Sequence, residues 1–230
     1  MRKLKYLLLA LPLLLVSCSE SDGEEDEFAQ PSWKNSNAEY FNKMYNNATQ
    51  SVASGDNSWK VIRTFSKDKI EGQTDNPADF IVAHVINQGS GDGCPLFSDT
   101  VLIHYEGRLL PSKNYPEGKV FDCSWNGDFN PATASPTKMG VFYTLVYNAS
   151  TQSYQTTSCI DGFSTALQNM HVGDRWQVYI PQELAYKNED KTAIPPYSML
   201  IFDISLVAYY HPGESVPEWR SNALNLFETE

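Results

Sequence analysis

The stretch Cys159–Ile180 constrains the fold more than any other part of the chain, because two periodicities meet in it. Phe163, Ala166, Leu167 and Met170 recur at i, i+3, i+4 and i+7, one apolar face of a short helix. Gly173 follows in the place glycine favours after a helix, so the spacing predicts a helix stopped there. From Trp176 the period changes to two. Trp176, Val178 and Ile180 alternate with Gln177 and Tyr179, the pattern of a strand. A helix laid by its apolar stripe on a sheet, with aromatic residues from both, encloses either a dry core or an apolar pocket.

Other runs supply the rest of the sheet. Strands are predicted at Trp59–Phe65, Asp79–Ile86, Thr100–Tyr105, Lys119–Asp122, Val141–Tyr147 and Met199–Val207. In the third, Val101, Ile103 and Tyr105 share a face; in the last, Leu200, Phe202, Ile204 and Leu206 do. Residues 125–140, rich in Asn, Pro, Thr and Gly, read as a long surface loop, and Asn148–Thr157 as a polar hairpin tip. The glycines of Asn87–Gly93 are not a phosphate cradle, since no P-loop lysine follows and a strand comes next. Ser36–Glu39 reads as a capping box opening a helix that carries Phe41, Tyr45, Ala48 and Val52 and stops at Gly55. Residues 36–78 form an extension too small to hold a core alone, so it is expected to pack on the main domain, residues 79–210. Ser215–Glu218 is expected to start a C-terminal helix within 211–230, with Trp219, Ala223, Leu226 and Phe227. The predicted class is α+β: an antiparallel sheet with one central helix on it.

The chain's start reads as a leader. Arg2, Lys3 and Lys5 form a positive region, and Leu7–Val16 is apolar but too short to span a bilayer. Leu15-Val16-Ser17-Cys18 resembles the lipobox of bacterial lipoproteins, which implies removal of residues 1–17 and lipidation of Cys18. Acyl chains there would hold the protein to a membrane at about 0.8 kcal/mol per buried methylene. Residues 18–35 then read as an acidic tether; Glu20, Asp22, Glu24, Glu25, Asp26 and Glu27 repel one another and carry no apolar period. The run also resembles the acidic export signal of some Bacteroidetes lipoproteins. Outer membrane is the expected location, in either leaflet.

Several chemistries are excluded or unsupported. A net charge of −11 argues against nucleic acid, whose phosphates need a basic face. Gly162-Phe163-Ser164 lacks the second glycine of a nucleophile elbow. His84, His104, His171 and His211 are scattered, and Asn188-Glu189-Asp190 lacks the ligand count of a calcium site, so no metal or cofactor is expected. Cys94, Cys123 and Cys159 are an odd set; Cys123 and Cys159 are a candidate disulfide.

Five blocks in register resemble FKBP-type peptidyl-prolyl isomerases: Val101–Gly107, Lys119–Asp122, Ile160–Gly173, Trp176–Tyr186, and Ile194-Pro195-Pro196 with Leu200–Ile204. The match runs from about residue 79 to 209. It implies a bent antiparallel sheet wrapped on one short helix. It also implies a proline pocket lined by Tyr105, Phe121, Asp122, Ile160, Phe163, Tyr186, Ile194 and Phe202, with Phe163 as its floor where the family most often has tryptophan. Cys159 stands in a flanking position usually held by valine. A further wall belongs on the fifth strand, where Val141 and Phe142 are both candidates. Taken singly, the aromatic residues are explicable as core. Asp122 and Tyr186 are not, because neither belongs unpaired in a dry interior.

The activity implied is rotation about X–Pro bonds of exported or envelope proteins, with proline peptides, unfolded chains and FKBP-directed macrolides as ligands. In this reading proline sits on Phe163 between Tyr105, Phe121 and Phe202. The Ile160 N–H and Tyr186 hydroxyl hold the flanking carbonyls, and Asp122 either orients Tyr105 or faces the carbonyl carbon. A binding module that grips a peptide without turnover is the alternative.

Overall fold

The computed structural model describes residues 26–148 and 152–219. The leader, Cys18 and the tether as far as residue 25 lie outside the described residues, as do residues 220–230 with Ala223, Leu226 and Phe227.

A seven-stranded antiparallel sheet carries the fold, in the order β1-β2-β8-β9-β3-β4, with β5 also paired to β3. The strands are β1 Trp59–Arg63, β2 Phe80–Asn87, β3 Thr100–Arg108, β4 Val120–Cys123, β5 Thr137–Gly140, β8 Arg175–Ile180 and β9 Leu200–Tyr210. A separate hairpin pairs β6 Tyr143–Asn148 with β7 Ser153–Ser158. The helices are α1, Ser32–Ala53, and α2, Asp161–Leu167, and the class is α+β as expected.

The two helices cover the two faces of one region of sheet, which is why β2 is buried continuously from Phe80 to Ala83 rather than alternately. Ala83 pairs with Val178 on the α2 side, and Val82 with Tyr179 on the α1 side. Helix α2 is buried all round from Gly162 to Leu167, so it is a core helix and not an amphipathic surface one. It lies close on β8 because residue 162 is glycine: a Cβ there would meet Ile180 Cγ2 at 2.3 Å. On the other side α1 buries Trp33, Phe41 and Ala48, and the Tyr45 ring sits 5.5 Å from Phe80. Burying a Phe-sized side chain stabilises by roughly 1.5–3 kcal/mol, so the extension is bonded into the domain rather than tethered beside it.

Several expectations are corrected. Helix α1 begins at Ser32, not at the Ser36–Glu39 box, and its N-cap residue Pro31 makes no side-chain cap. Burial of Trp33 extends the helix past the local capping signal. Accordingly the stretch read as tether up to residue 35 already includes folded chain. Helix α2 ends at Leu167, with Met170 buried in the following turn and Gly173, at φ 93°, leading into β8. The Asn169 side chain takes the Thr165 carbonyl at 2.8 Å while its backbone N–H turns to Ala166 at 3.0 Å, competing with continuation of the helix. The predicted loop 125–140 contains β5, and the predicted polar tip 148–157 contains most of β7. Residues 211–219 carry no helix. Cys94, Cys123 and Cys159 are free thiols, so the Cys123–Cys159 bridge is absent.

Candidate active site

The strands around α2 bring four aromatic rings together. Phe202 on β9 is the hub: its ring centroid lies 4.9 Å from Phe163, 5.4 Å from Phe121 and 6.4 Å from Tyr105. Phe163 and Tyr105 meet edge to face at 5.9 Å. These spacings and crossed planes are those of favourable aromatic pairs. Phe163 and Phe202 are 4% and 6% exposed, whereas Tyr105 and Phe121 are half-buried and Asp122 is exposed. The group therefore has a buried floor, partly open walls and a polar edge, the anatomy of a small-ligand site.

Backbone irregularity puts two consecutive residues at that edge. Gly107 pairs with Asp122 but Arg108 pairs with Val120, so Phe121 is an extra residue in β4, a bulge. In a regular strand Phe121 and Asp122 would point to opposite faces. Instead Phe121 packs on Phe202, while Asp122 Oδ2 accepts a 2.8 Å hydrogen bond from the Tyr105 hydroxyl. Tyr105 is held along its backbone too: its N–H donates to Ser124 Oγ and its carbonyl accepts from the Ser124 N–H, both at 2.9 Å. Burial, then the Asp122 carboxylate, pushes the Tyr105 hydroxyl well above the usual tyrosine range, so it stays a donor.

Ile160 is the N-cap residue of α2, with extended backbone (φ −67°, ψ 146°), and its carbonyl accepts from the Phe163 and Ser164 N–H groups at 3.1 Å. Asp161 in the first turn is fixed by a 2.7 Å bond from Ser66 Oγ. Cys159 is half-buried beside it, and burial raises its thiol pKa to about 11, so it serves as a small apolar group. Tyr186 is half-buried, and burial is the largest cause of its raised pKa. Ile194 belongs to the same continuous core and is paired with Lys191 across a short bridge.

Two sequence-derived candidates sit elsewhere. Val141 is fully buried, its carbonyl accepting from Ser164 Oγ at 2.7 Å, so it is core rather than wall. The Phe142 ring stacks on Phe97 at 4.3 Å and meets Phe65 at 5.9 Å, a grouping distinct from the four-ring floor. Two supports went unnoticed in the sequence, Ser124 and Gly107. A Cβ on Gly107 would meet Phe121 Cζ at 2.4 Å and Phe202 Cε1 at 2.8 Å. The signal for Gly107 was present in its strand: a lone glycine there marks a close approach or a bulge.

Residues 95–207 match the family model of FKBP-type peptidyl-prolyl cis-trans isomerases. That segment is of the FKBP type. The chain is 33% identical over 135 residues to the macrophage infectivity potentiator of Trypanosoma cruzi, covering 58% of this chain and 55% of that protein. It is 34% identical over 124 residues to the FKBP-type 22 kDa peptidyl-prolyl cis-trans isomerase of Escherichia coli K12, covering 54% of this chain and 47% of that one. The chain thus spans about half the length of these curated relatives. Among solved structures, a peptidyl-prolyl cis-trans isomerase of Pseudomonas syringae aligns with a TM-score of 0.42 at 23% identity, over 74% of this chain and 96% of that one. All of β3, β4, α2, β8 and the Tyr186–Ile194 loop, and most of β9, fall inside the FKBP-type segment; α1, β1 and β2 precede it.

Proposed function

We propose that this FKBP-type chain is a peptidyl-prolyl cis-trans isomerase acting on X–Pro bonds of exported or envelope polypeptides. The observation that carries the reading is the four-ring floor edged by the Tyr105–Asp122 hydrogen bond. Rotation about an X–Pro bond passes through a twisted amide that has lost its resonance, and unassisted it takes tens of seconds or longer. The twisted amide is less dipolar than the planar one. An apolar floor therefore disfavours the ground state more than the transition state, and only such a difference accelerates the step.

In this reading the proline ring rests on Phe163 and Phe202, between Tyr105 and Phe121. The Ile160 N–H and the Tyr186 hydroxyl hold the flanking carbonyls while the bond turns. Asp122 orients Tyr105, a role their hydrogen bond supports over one in which Asp122 faces the carbonyl carbon. Cys159 and Ile194 flank the ring. FKBP-directed macrolides compete for the same surface. The Leu15–Cys18 motif supports a lipid-anchored protein of the outer membrane; among the described residues no helix is long and apolar enough to cross a membrane.

A proline-isomerisation assay on the chain lacking residues 1–25 tests the reading, with Phe163→Ala and Asp122→Ala beside it. Turnover well above the uncatalysed rate, lost in Phe163→Ala, is expected. Background rate in the wild type overturns it, and macrolide binding without turnover then assigns a peptide-gripping module.

A further inference from the structure

The loop bearing Tyr186 and Ile194 is gripped from outside the FKBP-type segment. Its stem is closed by the Tyr197 N–H donating to the Lys187 carbonyl at 2.7 Å, and both residues have positive φ, 63° and 57°. A non-glycine residue holds that conformation only where its surroundings over-determine it. At the tip, Lys191 and Ile194 exchange backbone hydrogen bonds of 3.1 and 3.0 Å, and the Lys191 ammonium lies 5.4 Å from the Tyr186 ring centre.

What holds the stem is the start of α1 together with Gln30 just before it, one residue at a time. Gln30 Nε2 donates to the Pro196 carbonyl at 3.1 Å. Lys34 Nζ lies 4.3 Å over the Tyr197 ring, a cation–π contact. Trp33 Nε1 donates to Ser198 Oγ at 2.8 Å, and Ser198 Oγ donates onward to the Pro195 carbonyl at 2.7 Å, next to Ile194. Asn37 Oδ1 accepts from the Met199 N–H at 2.9 Å, while its Nδ2 donates to the Trp33 carbonyl at 2.7 Å. Trp33, Asn37 and Ser198 are buried, so these bonds are shielded from water and strengthened by it. The rest of α1 serves the core instead, where Phe41, Tyr45 and Ala48 pack with β1 and β2.

We propose that Gln30, Trp33, Lys34 and Asn37 are positioning residues: they fix residues 187–199 so that Tyr186 and Ile194 stand at the spacing a bound proline segment requires. This rests on the isomerase reading, and assigns the N-terminal extension a role in substrate affinity beyond stability.

The test uses the full-length protein with Trp33→Phe, which keeps a ring and deletes the donor, and Asn37→Leu. Ala48→Gly, buried in the distal half of α1, controls for general weakening of the helix; thermal midpoints verify that all three fold. Amide exchange in 187–199 is expected to rise about tenfold or more in the two stem variants and not in the control. For an X–Pro peptide, KM is expected to rise about threefold or more with kcat within about twofold. Exchange unchanged in the stem variants, exchange equally raised in the control, an unmoved KM, or kcat falling as far as KM rises each overturns the proposal. If the wild type shows no turnover, the isomerase reading fails separately. The exchange contrast and the Kd of the same peptide then decide the positioning role, supporting it if both move in the stem variants alone and overturning it otherwise.

Discussion

The Tyr105 hydroxyl donates to Asp122 across the β3–β4 bulge, so two residues of different strands act as one polar unit at the edge of the aromatic floor. Groups that act as a unit show non-additive losses. Asp122→Ala and Tyr105→Phe are each expected to lower kcat/KM about tenfold, equivalent to about 1.4 kcal/mol, just under the range for a hydrogen bond to a charged group. The double variant is expected to lose little more than either single one. A double-mutant cycle on kcat/KM checks this; losses that multiply would mean the two groups act independently.

Gly107→Ala is expected to damage the site without touching any polar group. The new methyl would overlap the Phe121 and Phe202 rings, neither of which is a flexible tip that can swing aside cheaply. Overpacking of this kind destabilises by about 1–3 kcal/mol. Denaturant midpoints should fall accordingly at unchanged slope, with kcat/KM falling in step with displaced rings.

Phe163→Ala removes the ring that meets both Phe202 and Tyr105. A buried Phe→Ala change costs about 3–5 kcal/mol, so calorimetry should show a lowered thermal midpoint. At a temperature where the variant remains folded, turnover is expected at background.

The sheet's far end carries a pH-dependent tie. His211 Nδ1 lies 2.9 Å from Asp99 Oδ1, and the Asp99 hydrogen bond, then its charge, raises the His211 pKa above the ordinary histidine value; Glu214, which accepts from the His211 backbone N–H, adds to it. A base with a raised folded pKa binds its proton more tightly when folded. Its stabilisation is complete below the unfolded value of about 6.5 and disappears as pH rises through the folded value. Thermal midpoints of wild type and His211→Gln from acid to alkaline pH should therefore differ most below pH 6.5 and converge above the folded value. A gap that widens with pH would contradict the assignment.

The alternation within β8 and β9 was legible in the sequence: Trp176 and Val178 on one strand pair with Ile204 and Phe202 on the other, the residues each strand's own period places on one face. Strand β5 was not, because Thr137-Lys138-Met139-Gly140 has no apolar period and forms by pairing with the edge of β3. The start of α1 was misplaced because its deciding contacts, Trp33 with Ser198 and Asn37 with Met199, lie more than 160 residues away in the chain. At the site, the rings were legible from their blocks. The bulge that turns Phe121 and Asp122 toward it depends on strand register, which no single strand's sequence states.

The central claim is that the floor formed by Phe163 and Phe202 accelerates rotation of a bound X–Pro bond. Magnetisation-exchange NMR on a short X–Pro peptide measures that rotation directly, with wild type and Phe163→Ala compared at equal concentration. Cis–trans exchange cross-peaks on a sub-second mixing time with wild type, and none with Phe163→Ala, are predicted; the uncatalysed bond takes tens of seconds or longer. Absence of exchange peaks with wild type, at peptide concentrations that shift its proline resonances, would contradict the account.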